Sequence, residues 1–382
     1  MIQTTNLYIE LFGLFLLFLL AFSFPSFKNL FTISVETNAK KGERSRVVDF
    51  VRGIAMCAIV VIHIDSYFAF FHPKDSELVL SRWLANVSRF CVPAFIFSSG
   101  FFLSWKGNSA FWVSKVKNLL IPYVIIACIG YFTKYSPANF LSDIIPKILL
   151  GQVFQPYYYV PLLFGFYLLF AFIFRNIQNW SPTTFSIVLG VSLLINFGSN
   201  HFYPKSLPFI GGLEAISFTN YIFFFVAGFS AKRILTNKEV FLEQLKINSF
   251  YFPSLLFAIL LYLAVVTYYS VTLNLEISNH FLFYPIASFV VLTYIGIKIE
   301  PSNSAFIKRV YSGLAYIGEN SLALFLLHPM TIHLMHMIDP YYFGGFYFGW
   351  LITFAINIAL PLIVWKTAYG IIDMIAGTEK KV

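Results

Sequence analysis

Charged side chains are scarce in this chain. Asp, Glu, Lys and Arg make up 11% of its 382 residues, against about a quarter in an ordinary soluble domain. That scarcity excludes a water-exposed globular surface. Cysteine is scarcer still: Cys57, Cys91 and Cys128 each fall inside a separate apolar run without paired spacing, which argues against a disulfide framework or a metal site. They read as small buried hydrophobes. No phosphate-cradling glycine loop, metalloprotease helix or serine elbow is present, so pump and channel readings lose ground.

Apolar length is what the chain has. Hydrophobic residues account for 58% and aromatics for 20%, with 47 Phe, in stretches near the ~20 residues that cross a bilayer as a helix. The fold class expected is all-α, a polytopic integral membrane bundle. Eleven spans are read at residues 7–26, 50–71, 84–105, 118–135, 157–174, 183–199, 214–231, 250–271, 280–298, 312–335 and 345–365. With the amino terminus outside, 19 of the 26 Lys and Arg fall in inner loops and the carboxyl tail, and five in outer loops. The positive-inside rule favours that orientation, with the carboxyl terminus cytoplasmic. The net charge of +9 therefore speaks of loop topology and not of nucleic acid. Residues 11–24 resemble the apolar core of a signal peptide, but no Lys or Arg precedes them and Phe24-Pro25-Ser26-Phe27 is a poor cleavage site. They are read as an extra span followed by a basic cytoplasmic linker, which makes residues 1–49 one unit and 50–382 another.

Two ionisable groups stand out within the second span. His63 follows Arg52 by eleven residues, which at 100° per residue returns to within roughly 20° of the same helix face, about 16 Å further along. The cation lies near one membrane surface and the imidazole near mid-depth, where such groups face a protein interior or a watery cavity. Asp49 is one turn before Arg52 and is placed to fix its guanidinium. Asp65 points some ~200° away from His63 and is a poor partner for it.

Other polar groups carry weaker signals. Arg89, mid-span beside Asn86 and Ser88, needs a carboxylate, carbonyls or a ligand, for structure or for binding. His328 lies in an apolar helix and either lines a cavity or bonds a neighbouring helix. His333 and His336 lack further ligand types nearby and read as an interfacial cluster, with no metal expected. Glu319, Asn320 and Ser321 read as a helix start. Ser98-Ser99-Gly100 read as small residues for close packing. The stretch from Phe140 to Tyr159 is amphipathic and ends in Pro156-Tyr157-Tyr158-Tyr159: an interfacial aromatic belt, or part of an acceptor site.

These residues support a family resemblance. Arg46-x-x-Asp49-x-x-Arg52-Gly53-Ile54-Ala55 and then His63 resemble the opening helix of acyltransferase family 3. In order follow Pro93 to Leu103, Leu119-Leu120-Ile121-Pro122-Tyr123, Tyr158-Tyr159-Val160-Pro161-Leu162-Leu163 and Ile317 to Pro329, similar to later segments of that family. The resemblance covers about residues 44–365. One departure is that the segment before Pro122, usually arginine-bearing, offers Lys115, Lys117 and Asn118, which lack the bidentate fork of arginine.

The resemblance implies a ten-helix acyltransferase core and transfer of an acyl group, acetyl or succinyl, from cytoplasmic acyl-coenzyme A to a saccharide hydroxyl. Acyl-CoA is then a co-substrate, with no permanently bound cofactor. Arg52, with Lys115 and Lys117, would hold the donor. His63 would be the base or the acyl carrier, its imidazole having an ordinary pKa of about 6.5. Asp49, Arg89, Tyr158, Tyr159 and His328 are the candidates for the cavity. Partners expected are the bilayer, a cell-surface or lipid-linked saccharide and polysaccharide synthesis machinery, with no nucleic acid, in a bacterial cytoplasmic membrane. With 17 residues after the last span, the short branch of the family, without a hydrolase-like domain, is the closest shape. A transporter or flippase for an isoprenoid-linked sugar is the competing reading.

Overall fold

The computed structural model describes residues 8, 10–13, 15, 45–72, 78–105, 107–177, 180–201, 216–236, 251–272, 282–339 and 344–375. Among the described residues the regular elements are helices, without strands. They are α1 (Arg46–Phe71), α2 (Leu78–Val87), α3 (Cys91–Phe102), α4 (Asn108–Lys115), α5 (Ile121–Lys134), α6 (Phe140–Leu149) and α7 (Tyr159–Leu169). The second half holds α8 (Pro182–His201), α9 (Ile222–Thr236), α10 (Tyr251–Thr272), α11 (Phe283–Ile299), α12 (Ala305–Glu319), α13 (Ser321–Met335) and α14 (Gly345–Ile375).

Six stretches are long and apolar enough to cross a bilayer: Arg46–Phe71, Leu78–Phe102, Ser109–Lys134, Gln155–Phe174, Thr183–His201 and Gly345–Ile371. Helices α12 and α13 pass that test as a pair, and shorter apolar helices cover Ile222–Lys232, Leu256–Ser270 and Phe283–Ile299. Each corresponds to a span read from hydropathy. The expected first span is described only at Tyr8, Glu10 to Gly13 and Phe15, all helical. The basic linker before Ser45 lies outside the described residues, as do Lys74, Lys106, Lys205, Lys238, Lys246, His280, Lys380 and Lys381.

Three boundaries differ from the hydropathy reading, each for a local reason. The third span begins at Leu78 and not at residue 84, which puts Arg82 on a helix instead of in a loop. It tightens to a 3-10 turn at Ser88–Phe90, because Pro93 has no N–H to return to the carbonyl of Arg89. The fourth span begins at Ser109 and takes in Lys115 and Lys117, both expected in a loop. Pro122 withholds an N–H from Asn118, and Val116–Leu120 form a π turn in which the Ile121 N–H bonds the Val116 carbonyl. The tenth span is bent by 79° at Asn320. Glu319 is the last residue of α12, and the Asn320 side chain donates back to the Tyr316 carbonyl at 2.8 Å. Asn320 is the N-cap position of α13 and Ser321 its first residue, so these two open a helix as expected, and only Glu319 ends one.

Helix α1 is the axis of the bundle and touches α2, α3, α11, α12, α13 and α14. Its closest partner is α12, and the sequence permits that approach at two glycines. A Cβ on Gly53 would overlap the Leu314 carbonyl, and one on Gly318 would overlap the Asp49 carbonyl. Phe50 stacks on Tyr311 at 5.1 Å beside this crossing. Gly100 and Gly228 do the same for α3 and α9, in line with the packing role expected for Ser98-Ser99-Gly100. Helices α8 and α14 turn apolar side chains such as Ile187, Leu194, Leu351 and Ile363 outward, as lipid contact requires.

One carboxylate ties the amino-terminal segment to the rest. Glu10 is fully buried, and its Oε1 accepts from the N–H groups of Leu282 (2.7 Å) and Phe283 (3.2 Å). It satisfies orphan donors at the start of α11 where an anion is favourable, and its Oε2 lies 3.5 Å from His201 Nε2.

Gly318→Ala is expected to lower stability by about 1–3 kcal/mol through overpacking, read as the midpoint of thermal unfolding in detergent. Gly313→Ala, on the same helix with open space around it, should leave the midpoint unchanged.

Candidate active site in two cavities on one helix

The close crossing of α1 and α12 delivers the start of α13 to Arg52. The Arg52 Nη2 donates to Ser321 Oγ at 2.6 Å, and Nη1 lies 3.6 Å from the Oδ1 of Asp49, whose side chain is fully buried. The guanidinium carbon stands 5.5 Å from the Phe102 ring centre and 6.0 Å from that of Phe95. A charged group at this depth is thus held by a carboxylate, a hydroxyl and two ring faces.

Arg52 opens onto a cavity of about 190 Å³ whose wall also carries Lys115, Asn118, Ser99, Tyr159 and Ser321. The Lys115 ammonium lies 4.4 Å from the centre of the Tyr167 ring. Ser114, Lys115 and Asn118 are on the cavity wall, whereas Lys117 is exposed and off it, about 200° around the helix from Lys115. Of the two lysines expected to meet a donor, the structure brings only Lys115 to Arg52.

His63 belongs to a second cavity, of about 290 Å³, at the far end of α1. His333, His336, Lys134, Gln155 and Phe154 share its wall. A row of rings separates the two spaces. His63 and His328 are 5.3 Å apart, His328 and Phe325 6.1 Å, and Phe325 and Tyr159 5.2 Å between ring centres. Tyr159 and Phe325 line the first cavity, whereas His63 lines the second.

His328 is fully buried, and its hydrogen bonding assigns its tautomer. Nδ1 lies 2.8 Å from the Leu324 carbonyl, which can only accept, so the proton is on Nδ1. Pro329 withholds an N–H from the neighbouring Phe325 carbonyl. The lone pair of Nε2, which has no hydrogen-bond partner among the described residues, is thereby left available in the ring that faces His63. Arg89 acts electrostatically on His63, Asp65 and Tyr158, so the 3-10 turn carries a cation toward the imidazole. Asp65 turns instead to Ser81 and Arg82 of α2, as its register on α1 implied. Tyr158 adjoins Tyr221, and the Tyr159 hydroxyl is 3.3 Å from Ser99 Oγ.

His333 Nε2 donates to the Thr133 carbonyl at 3.0 Å, and His336 Nδ1 donates to the His333 carbonyl. Among the described residues no group of three or more His, Cys, Asp or Glu is placed to hold a metal ion. Sequence reasoning missed Ser321 as a partner of Arg52 and Lys134 as a cavity residue. Ser321 carried a usable signal in its place three residues before Leu324 on the helix that bears His328. Lys134, at a span end, reads like any snorkelling lysine.

The structure is thus a multi-pass helical bundle that sets a paired cation and a half-buried imidazole in separate cavities along one helix. The profile of acyltransferase family 3, described as an acyltransferase domain, matches residues 46–374. The chain belongs to that family, and it is a membrane acyltransferase. No curated relative and no solved structure matches at a significant level.

Ser321→Ala removes a hydrogen bond to a charged group, for which about 1.5–3 kcal/mol is typical. The variant is expected to fold normally and to bind coenzyme A at least about tenfold more weakly, measured by isothermal titration. Unchanged affinity would separate Arg52 and Ser321 from ligand binding.

Proposed function

We propose that this acyltransferase takes an acyl group from cytoplasmic acyl-coenzyme A, bound at the Arg52 cavity, and delivers it to a saccharide hydroxyl in the His63 cavity. The observation that carries this reading is the pair of cavities on opposite sides of the His63–His328–Phe325–Tyr159 row, one lined by Arg52 and Lys115 and the other by His63. Phosphates of the donor meet Arg52 and Lys115, and the thioester arm passes Tyr159 and Phe325 toward His63. The positive-inside asymmetry puts the Arg52 end in the cytoplasm and the His63 end outside.

In the simplest sequence His63 accepts the proton of the acceptor hydroxyl as its oxygen attacks the thioester carbonyl carbon. The carbon–sulfur bond then breaks, and the coenzyme leaves as a thiolate that takes the proton back from the imidazolium. His328, whose Nε2 carries a lone pair in the ring facing His63, is the residue best placed to orient it. Arg89, whose charge acts on His63, is the cation that would stabilise negative charge developing on the carbonyl oxygen. A covalent acyl-His63 intermediate uses the same geometry in two steps. A cell-surface or lipid-linked glycan is the acceptor class, with acetyl as the group transferred.

Radiolabelled acetyl-coenzyme A and membranes at matched protein levels test this reading. His63→Ala is expected to lower label transfer to polysaccharide or lipid-linked sugar by about 100-fold or more, and full activity would remove the mechanism. Arg52→Lys, which loses the planar fork, is expected to raise the donor KM about tenfold and leave the acceptor KM unchanged. An equal rise in both would count against donor binding at Arg52.

A further inference from the structure

Among the described residues the wall of the His63 cavity carries no carboxylate but does carry a lysine and two further imidazoles. Lys134 ends α5, where its ammonium is 3.4 Å from the Val153 carbonyl and 5.7 Å from the centre of the Phe154 ring. One carbonyl leaves other N–H donors of the ammonium for a ligand. His333 and His336 stand 4.9 Å apart between ring centres, and each commits one nitrogen to a backbone carbonyl. Each therefore turns a defined second nitrogen, Nδ1 of His333 and Nε2 of His336, to other partners. Asp339, an acidic group at this end of α1, lies 3.2 Å from His72 and is not on the wall. Phe154 supplies an apolar face of the kind on which a sugar ring packs, and Gln155 supplies an amide beside it.

From this we infer that the acceptor carries negative charge: the His63 cavity is built for an anionic saccharide, bearing a carboxylate or phosphate that Lys134 holds while a neighbouring hydroxyl meets His63. A neutral sugar offers the Lys134 ammonium only hydroxyl acceptors, whereas an acidic one offers the stronger hydrogen bond between two charges. The name of acceptor site for this cavity rests on the acyl-transfer reading, but its preference for anions does not.

The test is therefore one of binding, on the purified full chain in nanodiscs without donor. Methyl glucuronide, glucose phosphate and the neutral methyl glucoside are titrated, each with a thermal-unfolding control. At least one of the two anionic sugars is expected to bind ten times or more tightly than the glucoside. Lys134→Gln should erase that difference and Lys134→Arg should retain it. Equal affinity for acidic and neutral sugars, binding of none of them, or a preference that survives Lys134→Gln in folded protein would overturn the inference. Turnover with acetyl-coenzyme A is measured alongside. Anion-selective binding with no transfer to any of these sugars counts against the acyl-transfer reading and upholds the anion preference.

Discussion

The backbone contact between α1 and α12 is the constraint on which the site depends. It exists because Gly53 and Gly318 bring no Cβ to a crossing where each would strike a main-chain carbonyl of the other helix. Within a bilayer there is no hydrophobic driving force between helices, so such close approach is a main source of specific association. The chain then turns by 79° at Asn320 and continues as α13 along the same axis helix. Ser321, the first residue after the turn, meets Arg52, and His328, two turns later, meets His63. One crossing therefore sets the geometry of both cavities.

Prolines shape the same two spaces. Pro93, Pro122 and Pro329 each withhold an N–H from the carbonyl one turn earlier, and those carbonyls belong to Arg89, Asn118 and Phe325. The results are a 3-10 turn that carries Arg89, a π turn that carries Asn118 of the Arg52 cavity, and a freed carbonyl beside His328 Nδ1. Non-helical backbone at membrane depth is tolerated where protein or a watery cavity surrounds it. All three interruptions satisfy that condition, and all three bear a polar side chain or carbonyl at the site.

The long helices and the Arg52–His63 face were legible because hydropathy and the 3.6-residue period act within one segment. Asp49 followed from the same kind of reasoning, whereas Tyr159 and Lys115 were reached through the family resemblance. Lys117 was separable from Lys115 by the rule that set Asp65 apart from His63, since residues two apart in a helix lie about 200° from each other, but the resemblance implied one basic segment and so grouped the two lysines. The bend at Asn320 was unreadable from hydropathy, which runs through it without change. Glu10 shows a further limit: its partners are backbone N–H groups of Leu282 and Phe283, and a carboxylate that caps a helix some 270 residues away in sequence leaves no local pattern. Lys134, His333 and His336 come from two different helices, and only the packing of α13 on α5 brings them to one wall.

The order of groups along α1 follows from desolvation. A guanidinium stays charged at any accessible pH, so it needs a buried carboxylate, a hydroxyl and water at a helix end, which Asp49, Ser321 and the inner cavity supply around Arg52. Eleven residues deeper, among Ile62, Ile64 and the rings of Phe325 and His328, a second permanent cation would face a cost of several kcal/mol. An imidazole is the basic side chain that can stand there uncharged and still take a proton from a hydroxyl near neutrality. A paired cation at the rim and an imidazole at mid-depth are thus the arrangement that lets one helix carry permanent charge at its end and a neutral base in its interior.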